Sequence, residues 1–312
     1  MTNSSRFVGT IVLGLGTVCL GTCTPTSNTG VSTPSGYNET DIAADLDRMA
    51  DQFLNVQELD PFVYDLTEDE AYRWQTEFIA ALQPSLGRIV GYKTGGHDTG
   101  PPNPNFPPQG IRGVLLEGMV HPSGASVALN DAVWGFLEAD FAVRVGDESI
   151  NTAKTDLELL ASLDAVIPLI EIPDPAFVNN QRSPTSSIVT NMASRYAFVG
   201  DPIPTKPTVA WIEALNTMTF AVHDEHGTEV GSGTLDGHYQ PLTVVRWLRD
   251  HLRTFGRQLE SGQLLSLGSI RINRQLKPGS PQGGPAYSAS QYRLSYYGLS
   301  GDASPVVVTI ER

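Results

Sequence analysis

The chain has 312 residues, with 20 basic and 34 acidic side chains and a formal charge of −14. A phosphate backbone would be repelled by such a surface, and no apolar run is long enough to cross a bilayer, so nucleic-acid binding and a polytopic membrane protein are both excluded as defaults. Hydrophobic residues make up 40% of the chain, enough for a real core in one large domain or two small ones.

Both cysteines, Cys19 and Cys23, lie in the first segment, so the body carries no disulfide and no thiolate metal site. Residues 1–23 place Arg6 before an apolar stretch from Phe7 to Leu20, the pattern of a secretory signal peptide. Leu20-Gly21-Thr22-Cys23 resembles a bacterial lipobox, although Thr22 departs from the usual Gly or Ala. Export is therefore expected, to the periplasm or as a lipoprotein attached to a membrane through lipidated Cys23. Residues 24–38 are rich in Ser, Thr, Pro and Gly and read as a flexible linker.

A helical segment is expected over 39–88. Ile42, Leu46, Met49 and Phe53 recur at helical spacing, and Thr67 and Glu70 stand at the spacing of a capping box. Pro84 and Gly87 are expected to end the second helix. Arg88–Lys93 reads as a strand. The Pro- and Gly-rich stretch 94–110, which holds His97 and Asp98, reads as a loop long enough to be functional or mobile. Strands are expected at Gly113–Val120, Phe136–Val145 and Ala165–Ile172, with a capped helix at Thr155–Leu163. Asn191–Val199 fits helix or strand, and Thr208–Leu215 reads as strand. Met218–Val222 and Glu229–Ser232 flank the turn His223–Gly227 as a hairpin. His223 and His226 have a zinc-compatible spacing, but they sit in that turn. Leu242–Phe255 is an amphipathic helix and Leu264–Gly268 a strand. Together these elements predict an α+β fold around a curved mixed sheet, with a β-rich domain over 89–312.

Phe136–Val143 carries the most chemistry. Alternation puts Leu137, Ala139, Phe141 and Val143 on one face and Glu138 and Asp140 on the other. Two adjacent carboxylates repel unless a cation lies between them or the face is solvated. Glu171 interrupts the apolar run Val166–Ile172, where an unpartnered carboxylate would be costly; an Arg partner at the strand end is the alternative. Three oxygen ligands on neighbouring strands suit Mg²⁺ or Mn²⁺.

These residues resemble a known family. Gly91-Tyr92-Lys93-Thr94-Gly95, Gly113–Met119, Leu137-Glu138-Ala139-Asp140-Phe141, Pro168–Ile172, Gly237-His238 through Trp247-Leu248, and Gly262–Ser269 with Lys277-Pro278-Gly279 follow one another as do the motifs of the 2-keto-4-pentenoate hydratase and 2-oxo acid decarboxylase branch of the fumarylacetoacetate hydrolase superfamily. The resemblance runs from about Leu59 to the C-terminus. It implies a mixed β-roll and one Mg²⁺ or Mn²⁺ held by Glu138, Asp140 and Glu171. It implies a small 2-oxo acid or 2-hydroxy-2,4-dienoate substrate bound through its carboxylate and 2-oxygen. Lys93 would hold that head group or move a proton, unless it is merely a surface lysine. Ser269 and His97 are further candidates for contact with substrate, Ser269 from a strand end and His97 with Asp98 from a lid. The expected function is a metal-dependent lyase of hydratase or decarboxylase type, in a homo-oligomer. The alternatives are a C–C hydrolase of acylpyruvates and an exported binding protein that has lost turnover. The departures are Asp140 for a second Glu, Glu117-Gly118 for an acidic pair, Thr190 for the Asp before Asn191, and Gly96-His97-Asp98 for the hydrophobic residue, Thr and Ser that follow the Lys motif.

Overall fold

The computed structural model describes residues 37–97, 110–235, 240–268, 273–280, 288–299 and 304–312. The signal-like segment, Cys23, the linker through residue 36, Asp98, Gly237, His238 and Ser269 lie outside the described residues. Among those described, no helix is long and apolar enough to cross a membrane.

Helix α1 (Glu39–Leu54) starts at Asn38, whose side chain accepts the Thr40 N–H, and buries Ile42, Leu46, Met49 and Phe53. Helix α2 (Glu68–Leu86) starts on the expected capping box of Thr67 and Glu70. Pro84 does not end it. A proline in the last turn removes one backbone bond, and the helix still closes through Gly87 N–H to the Gln83 carbonyl (2.8 Å).

The other elements follow in chain order: β1 (Ile89–Gly95), β2 (Ile111–Leu116), β3 (Val120–Pro122), β4 (Ser126–Ala128), β5 (Phe136–Val145), α3 (Asp156–Ala161), β6 (Leu163–Ile172), α4 (Pro184–Val189), β7 (Tyr196–Val199), β8 (Ile203–Pro204), α5 (Val209–Thr217), β9 (Thr219–Asp224), β10 (Glu229–Thr234), α6 (Pro241–Thr254), β11 (Leu264–Ser266), β12 (Asn273–Gln275), β13 (Gln291–Tyr297) and β14 (Val306–Glu311). They build two mixed sheets rather than one. The larger runs β2-β1-β11-β5-β6-β7-β3, with β12 beside β5 and β8 beside β6; the smaller runs β10-β9-β13-β14-β4. The class is α+β, as expected.

Three local expectations change. The strand expected at Gly113–Val120 breaks at a 3-10 turn, Glu117–Met119. Asn191–Val199 divides into a 3-10 turn, Asn191–Ala193, and β7. Thr208–Leu215 is not strand but α5. The Thr208 side chain accepts the Trp211 N–H as an N-cap, and Trp211 and Leu215, four residues apart, are the buried positions.

Gly91 is set by packing. It pairs with Leu264 in the parallel β1–β11 ladder, and a Cβ there would stand 2.1 Å from the Leu264 carbonyl oxygen. Gly91→Ala is therefore expected to force β1 from β11 and to destabilise the protein by about 3 kcal/mol or more, read as a fall in the urea midpoint.

Candidate active site

The register of the larger sheet assembles the site. Glu138 on β5 pairs with Glu171 on β6, Asp140 with Leu169, and Ala142 with Ile167. Ala142 also pairs with Ser266 on β11, and Ser266 pairs with Lys93 on β1. Directly opposed residues share a face, so Lys93, Glu138, Asp140, Glu171 and Ser266 all project from the same side. The opposite face of β5 carries Leu137, Ala139, Phe141 and Val143 into the main core. The acidic side is not a solvated outer face. Asp140 is 0%, Glu171 4% and Lys93 3% exposed, while Glu138 keeps part of its surface open. Ala142, Ala165, Ile167, Leu169 and Ala197 form a small apolar cluster beside them.

Lys93 is not a surface lysine. Its Nζ forms a buried ion pair with Glu171 Oε1 and donates to the Met192 carbonyl at 3.4 Å. Asp140 accepts hydrogen bonds from Ser266 Oγ and from its neighbour Phe141 N–H, each at 2.5 Å. The Glu138 carboxylate is governed by burial and charge. Burial comes first in raising its pKa to about 8; Glu171 and Asp140 add to this, while Lys93 and Arg182 oppose it. Burial, then the charge of Glu171, pushes Asp140 up to about 7 against its two hydrogen bonds. The site therefore holds more negative charge than its own cations relieve.

An unusual turn frames Lys93. Asn191, Met192 and Ala193 all have positive φ (60°, 53° and 56°), a conformation that disfavours L-residues. Asn191 holds the turn in place: Oδ1 accepts the Val114 N–H (2.6 Å) and Nδ2 donates to the Val114 carbonyl (2.9 Å). A Cβ on Gly113 would stand 3.0 Å from the Asn191 carbonyl oxygen and 3.1 Å from Lys93 Cγ, so a glycine lets turn, strand and lysine meet. Asp174 ties down the end of β6. It pairs with Arg195 at 2.8 Å and accepts the N–H groups of Val133 and Trp134.

The remaining candidates fall elsewhere. His97 packs edge-on against Trp247 of α6 (4.4 Å between ring centroids), and burial lowers its pKa to about 4. The structure gives it no contact with Lys93 or the three carboxylates among the described residues. Ser269 lies outside those residues, whereas Ser266, which sequence reasoning passed over, touches Asp140. Ser266 was visible only as the polar residue following two leucines in β11. Glu117 is exposed beside Arg88 (3.9 Å). His226 lies in the hairpin turn, largely open to solvent.

Among the described residues, no three His, Cys, Asp or Glu side chains form a ready-made metal cage. Glu171 is turned to Lys93 and Asp140 to Ser266. The donor set nevertheless fits a hard divalent cation: it is all oxygen, buried and overloaded with negative charge. A cation bound there would have to draw Glu171 from Lys93.

No family model matches the chain. Over 243 residues, 75% of this chain and 88% of the relative, it is 25% identical to the 2-oxo-hept-4-ene-1,7-dioate hydratase of Escherichia coli. Over 219 residues, 69% of this chain and 80% of the relative, it is 25% identical to the 4-oxalocrotonate decarboxylase of Pseudomonas putida. The solved 4-oxalocrotonate decarboxylase from Pseudomonas putida G7, complexed with magnesium and adipate, aligns with a TM-score of 0.69 at 20% identity, covering 89% of this chain and all of that one. The same enzyme complexed with calcium and acetate aligns with a TM-score of 0.67, also at 20% identity and with the same coverage. The fold is thus α+β with mixed sheets, of the same type as that solved decarboxylase. The resemblance to the hydratase and decarboxylase branch, first drawn from the motifs, is upheld by these relatives.

Proposed function

We propose that the protein is a divalent-metal-dependent lyase of hydratase or decarboxylase type acting on a 2-oxo acid or 2-hydroxy-2,4-dienoate. The observation that carries this reading is the convergence of Lys93, Glu138, Asp140 and Glu171 on one buried sheet face. The two curated relatives, a hydratase and a decarboxylase, support it, as does the magnesium named with the solved decarboxylase. Glu138, Asp140 and Glu171 would hold Mg²⁺ or Mn²⁺, which when bound supplies a positive charge for the substrate's 2-oxygen as enolate character develops. Lys93, once released by Glu171, has Nζ placed to donate to the substrate carboxylate or the 2-oxygen. Ser266 fixes the rotamer of Asp140, and the apolar cluster around the carboxylates keeps water away from them.

The test is to follow the ultraviolet absorbance of a 2-hydroxy-2,4-dienoate with the purified protein. Loss of absorbance is expected with added Mg²⁺ or Mn²⁺, and its abolition with a chelator. The second reading, a binding protein without turnover, rests on the Lys93–Glu171 pair and on Thr190 replacing the family's Asp. Metal-dependent binding of a 2-oxo acid with no absorbance change would favour it.

A further inference from the structure

Met192 is the middle residue of the left-handed turn beside Lys93, with φ 53°. That backbone disfavours a residue with a side chain and suits glycine, so a methionine there points to a use for its bulk. The Met192 carbonyl accepts from Lys93 Nζ at 3.4 Å, which makes Met192 a direct neighbour of the group that meets the substrate head.

Its side chain lies on the same face. Lys93 and Gly95 stand two residues apart on β1 and project from one side. A Cβ on Gly95 would stand 2.7 Å from Met192 Cε, so the terminal methyl occupies the space that a side chain at Gly95 would take. Ile111, opposite Gly95 on β2, is fully buried on that face. Met192 thus brackets the end of Lys93: its carbonyl is at Nζ, and its methyl is over the next residue on that side. It packs against the core yet stays only half-buried, with part of its surface free for a ligand. The two hydrogen bonds from the Asn191 side chain to Val114 pin the turn, and the methyl is seated over Gly95, so the thioether has little freedom to retreat.

A 2-oxo acid whose carboxylate or 2-oxygen meets Nζ brings its third carbon close to this residue. A chain that is flat and unbranched at that carbon, as in a 2-hydroxy-2,4-dienoate, can lie along a thioether. A methyl branch there would have to displace it, and small hydrophobic differences of this kind are what a packed apolar wall discriminates.

We propose that Met192 determines specificity, its side chain excluding 2-oxo acids that are branched at the carbon next to the 2-oxo group. The proposal rests on the function given above, since it takes the head group to lie at Lys93.

The probes are 2-oxopentanoate and 3-methyl-2-oxobutanoate, isomers that share the head group and differ in that branch. Their affinities for the full chain are measured by calorimetry with Mg²⁺ present. The wild type is expected to prefer the straight isomer by about 10-fold or more. Met192→Ala and Met192→Gly keep the carbonyl that meets Lys93, and are expected to cut the preference to about 2-fold or less by strengthening the branched isomer, with the straight one held within about 3-fold. Met192→Leu refills the space and is expected to restore a preference of about 5-fold or more. If the Ala variant fails to fold by circular dichroism, the Gly variant decides, because glycine adopts this φ without strain. Equal binding of the isomers by the wild type, or a preference that Met192→Gly leaves intact, overturns the role of Met192 and leaves the head-group site standing. A preference lost in Met192→Leu as well overturns it too, since the conformation of the turn and not the bulk of the side chain would then set the selectivity. Binding of neither acid by the wild type overturns the head-group reading and this inference with it.

Discussion

Glu171→Gln is expected to weaken Mg²⁺ or Mn²⁺ binding by about 100-fold or more, a loss of about 3 kcal/mol. Glu171 carries a buried ion pair with Lys93 Nζ. The amide keeps nearly the same shape but removes a full charge, and a hard divalent ion takes its affinity mainly from ligand charge. The change also leaves the Lys93 ammonium, 3% exposed, without its partner. Removing one half of a buried pair costs about 3–5 kcal/mol, because the remaining charge stays buried. The variant should therefore lose stability as well as metal. Calorimetric titration with the metal and a urea denaturation curve read the two effects separately. The contrast is the exposed Arg144–Asp164 pair (2.8 Å), where Asp164→Asn should change stability by less than about 1 kcal/mol and leave metal uptake intact. Wild-type metal affinity in Glu171→Gln would remove the site on which the proposed function depends.

Glu171 and Lys93 also mark where the sequence stops being legible. Alternation along β5 separated Glu138 and Asp140 from the core-facing residues, because a period of two is a local property. Capping boxes at Thr67 and Thr155 were equally local, and both formed. Which strands stand beside β5 is not local. Lys93 meets Glu171 only through the order β1-β11-β5-β6, in which β11 comes from more than 90 residues beyond β6 in the chain. The motif resemblance supplied that long-range link; periodicity could not. The error at Thr208–Leu215 has the opposite origin. The dense apolar run Val209–Ile212 looked like strand, while the weaker signal, a capping Thr followed by Trp211 and Leu215 one turn apart, was decisive. The turn at Asn191–Ala193 was hidden for a third reason. Three successive L-residues with positive φ are locally unfavourable, and only the paired bonds from Asn191 to Val114 hold them.

The metal-free protein is expected to lose stability as pH rises from about 5 to about 8, and bound metal is expected to reverse this. Both Glu138 and Asp140 have folded-state pKa values raised mainly by burial, from 4.5 to about 8 and from 3.8 to about 7. Between the unfolded and folded values the native state holds protons that the unfolded chain has released. Each such proton lowers stability by about 1.4 kcal/mol per pH unit. The contribution is whole below the unfolded values and lost as pH climbs through the folded ones. Carboxylates with depressed values, such as Glu70 with its Thr67 hydrogen bonds and Asp45 with Tyr64 and Arg48, act with the opposite sign. Their effect appears only below the ordinary carboxylate range, outside this window. Burial of the His97 and His251 imidazoles, which lowers both from 6.5 to about 4, also acts with the opposite sign, between about pH 4 and 6.5, and offsets part of the fall at its acid end. For a domain of this size, one excess proton held over two pH units corresponds to a fall in Tm of about 5 °C. A divalent cation binds the deprotonated carboxylates, so its uptake releases protons and its stabilising effect must grow with pH. Thermal melts at pH 5.5 and 7.5, with chelator and with excess Mg²⁺, measure all four states. The gap between chelated and loaded protein should be the larger at pH 7.5. A chelated Tm that rises over that interval by as much as the two imidazoles alone would give would mean that the two carboxyl groups are already ionised in the fold, and that no cation is needed to offset their burial.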